Sequence, residues 1–229
     1  MQAGRPDGVP MPAACLFDLD GLLLDTEPCH GRAWREAAAA FGLALSPDQL
    51  MAMRGRRRLD CVELVRGWIG ASGAVPPAAA DLLALQQPIA RRLLRDAPAM
   101  VGAPELVAGC LELRLATALV TSSSRQAVAH KSSGHPWLGA ITVRVYGDDP
   151  ELAAGKPHPD PYLLAARRLG QEPSQCWAFE DSPAGAHAAH AAGCLVHVLT
   201  PPGAVREAYP AGVHWLSSLR EVNLGGPVQ

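Results

Sequence analysis

Lysine is nearly absent from this chain. Among 229 residues only Lys131 and Lys156 are lysines, and arginine carries the rest of the positive charge. The formal net charge is only −2, so no field of one sign argues for nucleic acid or a membrane surface as partner. No apolar run reaches the roughly 20 residues that span a bilayer. Six cysteines (Cys15, Cys29, Cys61, Cys110, Cys176 and Cys194) are scattered. They form no CxxC pair, and no signal-peptide pattern precedes them. This argues against a disulfide framework and predicts free thiols in a reducing cytoplasm. A monomer is the default expectation.

What is present is apolar and alternating. Hydrophobic residues make up 48% of the chain, enough for a sizeable core at this length. Apolar runs at 13–18, 116–121, 141–146, 176–179 and 195–199 read as strands. The later ones are separated by helical patterns at 161–169 and 183–192, which argues for βαβ units and a parallel sheet. Ser182, Pro183 and Gly193 punctuate the last helix as N-cap, first position and stop. Between the first two strands lies a long gap with helical patterns at 31–41, 61–68 and 78–94. A βα connection is normally a few residues plus one helix, so this gap reads as a helical insertion. The predicted organisation is a loose Pro- and Gly-rich tail at 1–12, a core at 13–27 and 99–229, and a helical cap at 28–98. The fold class is α/β, with a Rossmann-like parallel core.

The stretch "LFDLDGLLLDTEP" puts Asp18 and Asp20 at the end of a strand. A buried bare carboxylate is costly unless it is paired or holds a metal. In open α/β sheets ligands bind beyond the carboxyl ends of the strands. The other strand ends supply Thr121 with Ser122, Ser123 and Ser124, and Glu180 with Asp181; Lys156 lies in the loop "GKPHPDP". Together these residues suit phosphoryl transfer. Asp18 and Asp20, two apart on extended backbone, point the same way. A carboxylate can attack phosphorus, and Mg²⁺ held by Asp181, with Glu180 directly or through water, would offset the meeting of two anions. Thr121 can donate to a phosphoryl oxygen, and Lys156 can neutralise charge. The like charge of Asp18 predicts a raised pKa for Asp20, suited to an acid and base. Singly, each piece has a plainer reading: a turn, a strand end, a solvated lysine, an N-cap.

The stretches "DLDGLLLDTE", "ALVTSSS", "GKPHPDPYLLAARRLG" and "FEDSPAGAHAAHAAG" resemble the four motifs of the haloacid dehalogenase superfamily, most closely its β-phosphoglucomutase-like and sugar-phosphatase branch. The likeness runs from about residue 13 to about 219. It implies a Rossmann-like sheet with a helical cap after the first motif, and Mg²⁺ as cofactor. It implies that Asp18 is the nucleophile and that Asp20 is the acid/base and gives its backbone carbonyl to the metal. Thr121 and Lys156 would grip the phosphoryl group, and Glu180 and Asp181 would complete the metal site. Dehalogenases of the superfamily lack the second aspartate, so Asp20 argues against carbon–halogen cleavage.

The implied substrate is a small phosphorylated metabolite, a sugar phosphate or one like phosphoglycolate. His30 falls where β-phosphoglucomutase has a hinge histidine that assists its acid/base; packing on Trp34 or meeting solvent is the plainer alternative. In "RGRRR", Arg54, Gly55 and Arg58 match the family's substrate-specificity loop, although a charge run is usually a solvated face. Ser122 and Ser123 are further substrate-binding candidates. The mutase-like cap carries a lysine for a second phosphate, and residues 28–98 contain none; arginine replaces its charge but not its geometry. A phosphatase is therefore expected, with a phosphomutase as alternative and a non-enzymatic phospho-acceptor module behind it. His187 and His190 read as helix-face residues, Asp148 and Asp149 as loop residues, and Asp160 as a brace for Lys156.

Overall fold

A computed structural model describes residues 11–225; most of the predicted N-terminal tail lies outside them. Six strands form one parallel sheet in the order β3-β2-β1-β4-β5-β6. They are β1 (Ala14–Phe17), β2 (Ala116–Val120), β3 (Val143–Val145), β4 (Cys176–Glu180), β5 (Leu195–Leu199) and β6 (His214–Leu216). β1 lies at the centre, with Leu16 level with Ala118 of β2 and Ala178 of β4. All four β1 residues are buried, as a parallel strand covered on both faces requires.

Alternation along β1 assigns the two faces. Cys15 and Phe17 belong to one core cluster with Leu106, Val107 and Cys110 of α5 (Ala103–Glu112). Phe17 stacks on Phe179 with ring centroids 5.1 Å apart. Ala14 and Leu16 face the other cluster, with Tyr162 and Ala165 of α7 (Asp160–Leu169) and Ala186 and Ala189 of α8 (Pro183–Ala191). Small residues on that face let both helices lie close to the sheet. Ser182 caps α8 by accepting from the Gly185 N–H at 3.0 Å, and α6 (Arg125–Ser132) starts beyond β2.

Between β1 and α5 lie four helices: α1 (Glu27–Ala39), α2 (Pro47–Met53), α3 (Arg58–Ala71) and α4 (Ala79–Leu94). They have an apolar cluster of their own, with Trp34, Met53, Val62, Val65, Ile69 and Leu82. α1 begins at Glu27, four residues before its predicted start, because Pro28 fits the first helical turn. The two crossings between this layer and the sheet run side by side: Asp25 N–H donates to Pro98 O at 2.8 Å, and Met100 N–H to Leu23 O at 3.0 Å. Among the described residues no helix is long and apolar enough to cross a membrane.

Candidate active site

Asp18 follows the last residue of β1, and its side chain is buried. Its Oδ1 accepts from Lys156 Nζ at 2.6 Å. Its Oδ2 accepts no hydrogen bond from the described residues. Burial raises its pKa to about 7, with Glu180 and Asp20 adding to the rise and Lys156 opposing it. Lys156 is 1% exposed and also donates to Glu180 Oε1 at 2.5 Å and Val120 O at 2.9 Å.

Glu180, the last residue of β4, has both oxygens occupied by the protein. Oε1 also accepts from the Tyr162 hydroxyl at 2.5 Å, and Oε2 accepts from Asp181 N–H and Ser182 Oγ. Asp181 is different. Arg54 Nη2 donates to its Oδ2 at 2.5 Å, while its Oδ1 is buried without a partner. Burial pushes this carboxyl well up, with Arg54 opposing and Glu27, Asp18 and Glu180 reinforcing the rise.

These residues fit a divalent cation. Asp18, Glu180 and Asp181 each offer an oxygen, all within 4.8 Å of one another. Four carboxylates (Asp18, Glu27, Glu180, Asp181) face two cations, Lys156 and Arg54. The orphaned Asp181 Oδ1 and the surplus negative charge call for a hard cation with oxygen ligands. Gly21 keeps the backbone beside this group clear: its φ is +85°, and a Cβ there would strike the Asp181 carboxylate.

Asp20 faces a separate set of partners. Its Oδ1 accepts from Thr26 Oγ1 at 2.7 Å and its Oδ2 from Ser123 Oγ at 2.8 Å. Lys131 Nζ reaches both oxygens at 2.5 Å and Ser123 Oγ at 2.8 Å. His30 Nε2 lies 3.3 Å from Oδ1. The carboxyl is held well below the usual carboxylate range: burial pushes it up, and Lys131, with His30, more than reverses that. The raised pKa expected from Asp18 is thus corrected, because a lysine in direct contact outweighs a like charge farther off.

The remaining expected residues fall as follows. Thr121 is buried at the end of β2, and its Oγ1 accepts from Ser123 N–H at 3.1 Å. Ser122 donates to the carbonyl of Gly55 at 2.7 Å, and Ser123 is directed at Asp20. Gly55 has φ +71° and lies against Ser182, where a Cβ would clash with Oγ. Arg54 is directed at Asp181 and, at 3.3 Å, at Glu27. Arg58 opens α3 and lines a cavity of about 830 Å³ between the helical layer and the sheet edge. Asp160 does not meet Lys156; its Oδ2 accepts from Ala154 N–H at 2.9 Å. Asp149 is buried and pairs with Arg168 at 2.7 Å, and Asp148 accepts from Arg125 N–H. Lys131, Thr26, Tyr162 and Glu27 were not singled out as site residues from the sequence. The scarcity of lysine was the available signal for Lys131.

A family model described as haloacid dehalogenase-like hydrolase matches residues 12–193. The chain is 34% identical over 190 residues to hexitol phosphatase A of Escherichia coli (strain K12), covering 82% of each protein. It is 31% identical over 218 residues to a probable pseudouridine-5'-phosphatase of Drosophila melanogaster, covering 90% of each. Among solved structures, CbbY from Rhodobacter sphaeroides in complex with xylulose-(1,5)bisphosphate superposes with a TM-score of 0.76 at 28% identity, covering 91% of this chain and 95% of that one.

Proposed function

The chain belongs to the haloacid dehalogenase-like hydrolase family, and from that premise we propose that it is a Mg²⁺-dependent phosphatase that cleaves a small phosphorylated metabolite through an aspartyl phosphate on Asp18. The observation that carries this reading is the pairing of Asp18, held through one oxygen by Lys156, with the orphaned oxygen of Asp181 beside it. Asp18, Asp181 and the backbone carbonyl of Asp20 would hold the ion with Glu180 behind them, and a bound Mg²⁺ supplies positive charge that lets a carboxylate approach a phosphate.

Lys156 fixes the Asp18 carboxylate by its Oδ1, which leaves Oδ2 to form the bond to phosphorus. The same ammonium neutralises charge on the transferring group. Thr121 already accepts the Ser123 N–H, so its own hydrogen is left to donate to a phosphoryl oxygen. Asp20 serves both halves of the reaction. Itself ionised, it passes a proton from the Lys131 ammonium or the His30 ring to the leaving oxygen, and it returns to that donor the proton it takes from the water that breaks the aspartyl phosphate. The helical layer, joined to the sheet by its two crossings, acts as a cap that excludes bulk water.

A phosphomutase is the alternative reading. The lack of lysine in residues 28–98 favours the phosphatase. A panel of phosphorylated metabolites assayed with Mg²⁺ should give sustained phosphate release, and Asp18→Asn should abolish it while the protein stays folded. Isomerisation without release would overturn the phosphatase reading in favour of the mutase.

A further inference from the structure

The cavity under the helical layer contains a polar group that phosphoryl transfer does not use. The space of about 830 Å³ runs from Asp18 and Asp20 at the sheet edge to Trp34, Leu50, Leu83 and Gln86 on the helices. Gln86 is 1% exposed. Its amide makes no hydrogen bond among the described residues, and its Oε1 is buried without a partner. Asp181 Oδ1 and the Arg57 Nε atom are likewise unpartnered near this cavity, but each belongs to the acidic cluster or the loop above it. Gln86 belongs to neither.

Its position in α4 makes it more conspicuous. One turn to either side, Leu82 and Ala90 are buried. Leu82 packs in the cluster of Trp34 and Ala38, and Ala90 in a second cluster with Ala33 and Leu94. Gln86 therefore interrupts an apolar seam between α1 and α4 that a leucine would complete. Burying an amide with no partner is unfavourable. An amide retained there, opening onto a cavity, is satisfied by something that enters the cavity.

We propose that Gln86 reads the organic part of the substrate by hydrogen bonding to a hydroxyl carried away from the phosphate. The apolar wall of Trp34, Leu50 and Leu83 packs against its carbon skeleton. The substrate is then a sugar-sized, polyhydroxylated phosphate monoester that spans from the sheet edge to α4. A two-carbon acid such as phosphoglycolate, bound by its phosphate at Asp18, fills little of this space and presents no hydroxyl to α4. This inference rests on the phosphatase reading and names the substrate class of that site.

The test compares hexitol phosphate, hexyl phosphate, phosphoglycolate and acetyl phosphate in the full-length protein with Mg²⁺, before and after Gln86→Met. The wild type should prefer hexitol phosphate to hexyl phosphate and phosphoglycolate in kcat/KM. Gln86→Met should lower the hexitol-to-hexyl ratio by roughly tenfold or more, the loss of about one hydrogen bond. Acetyl phosphate, which carries no hydroxyl, reports the active fraction of each preparation. Because the ratio is measured within each protein, partial misfolding of the variant does not distort it. An unchanged ratio, or a wild type that prefers phosphoglycolate, would overturn the proposal. If the wild type hydrolyses none of the four compounds, the phosphatase reading itself fails and the proposal with it.

Discussion

At the scale of single residues, the decisive feature is the separation of two neighbouring aspartates into two electrostatic environments. Asp18 shares Lys156 with Glu180, and its carboxyl is raised to about 7; Asp20 has Lys131 to itself and is lowered. Strand-end logic made the gathering of Asp18, Thr121, Glu180 and Asp181 legible in the sequence, because a parallel sheet delivers its strand ends to one edge; Lys156 joins them from the loop before α7 through its contact with Asp18. Lys131 was not legible in that way. It lies on α6, and only the packing of that helix brings its ammonium to Asp20. The Asp160 reading failed for the opposite reason: nearness in sequence to Lys156 did not become contact, because the carboxylate caps its own loop. Lys131→Met should lower kcat on alkyl phosphates by about 10²-fold, the usual worth of a well-placed acid–base group. The loss should be much smaller on an aryl phosphate, whose leaving group needs little protonation. Parallel assays on the two ester types check this; equal losses would mean that Lys131 does not act through Asp20.

At the scale of elements, five of the six strands could be read and the sixth could not. β1, β2, β3, β4 and β5 show as apolar runs, and α8 as a capped helix. β6, His214–Leu216, has three residues and no readable period, yet it completes the sheet beside β5. Its His214 ring stacks on His197 of β5, which in turn lies against Phe179 and Trp177. Burial, with His214 adding to it, pulls the His197 pKa down to about 3. An unfolded histidine titrates near 6.5, so between about 6.5 and 3 the unfolded chain binds a proton that the folded one refuses. His197 therefore adds stability above about pH 6.5 and loses it as pH falls, by up to about 1.4 kcal/mol per pH unit. His197→Phe should flatten the fall in the urea midpoint between about pH 7.5 and about pH 5. An equally steep fall in the variant would refute this role.

At the scale of the whole molecule, the helical layer and the sheet meet through polar contacts at the site and paired backbone at the crossings. Ser122 to Gly55, Arg54 to Asp181 and the His130 ring to Arg91 O join the two parts. The acidic cluster beneath them leaves the metal-free protein with a buried carboxyl oxygen, Asp181 Oδ1, that has no partner among the described residues. Mg²⁺ should therefore raise the melting temperature, by the equivalent of about 2.7 kcal/mol at a hundred times its Kd. Asp181→Asn should show little shift. Melting curves with Mg²⁺ and with EDTA give the comparison, and a variant that responds as fully as the wild type would remove Asp181 from the metal site.

A bond from Asp18 to phosphorus, formed during turnover, can be trapped chemically. The protein is quenched in acid during turnover of a phosphate ester with Mg²⁺, and borohydride then reduces any acyl phosphate. Peptide mass spectrometry should find homoserine at position 18 and at no other aspartate or glutamate. Full turnover with position 18 unmodified, or with the phosphoryl group trapped on another residue, would rule out Asp18 as the nucleophile.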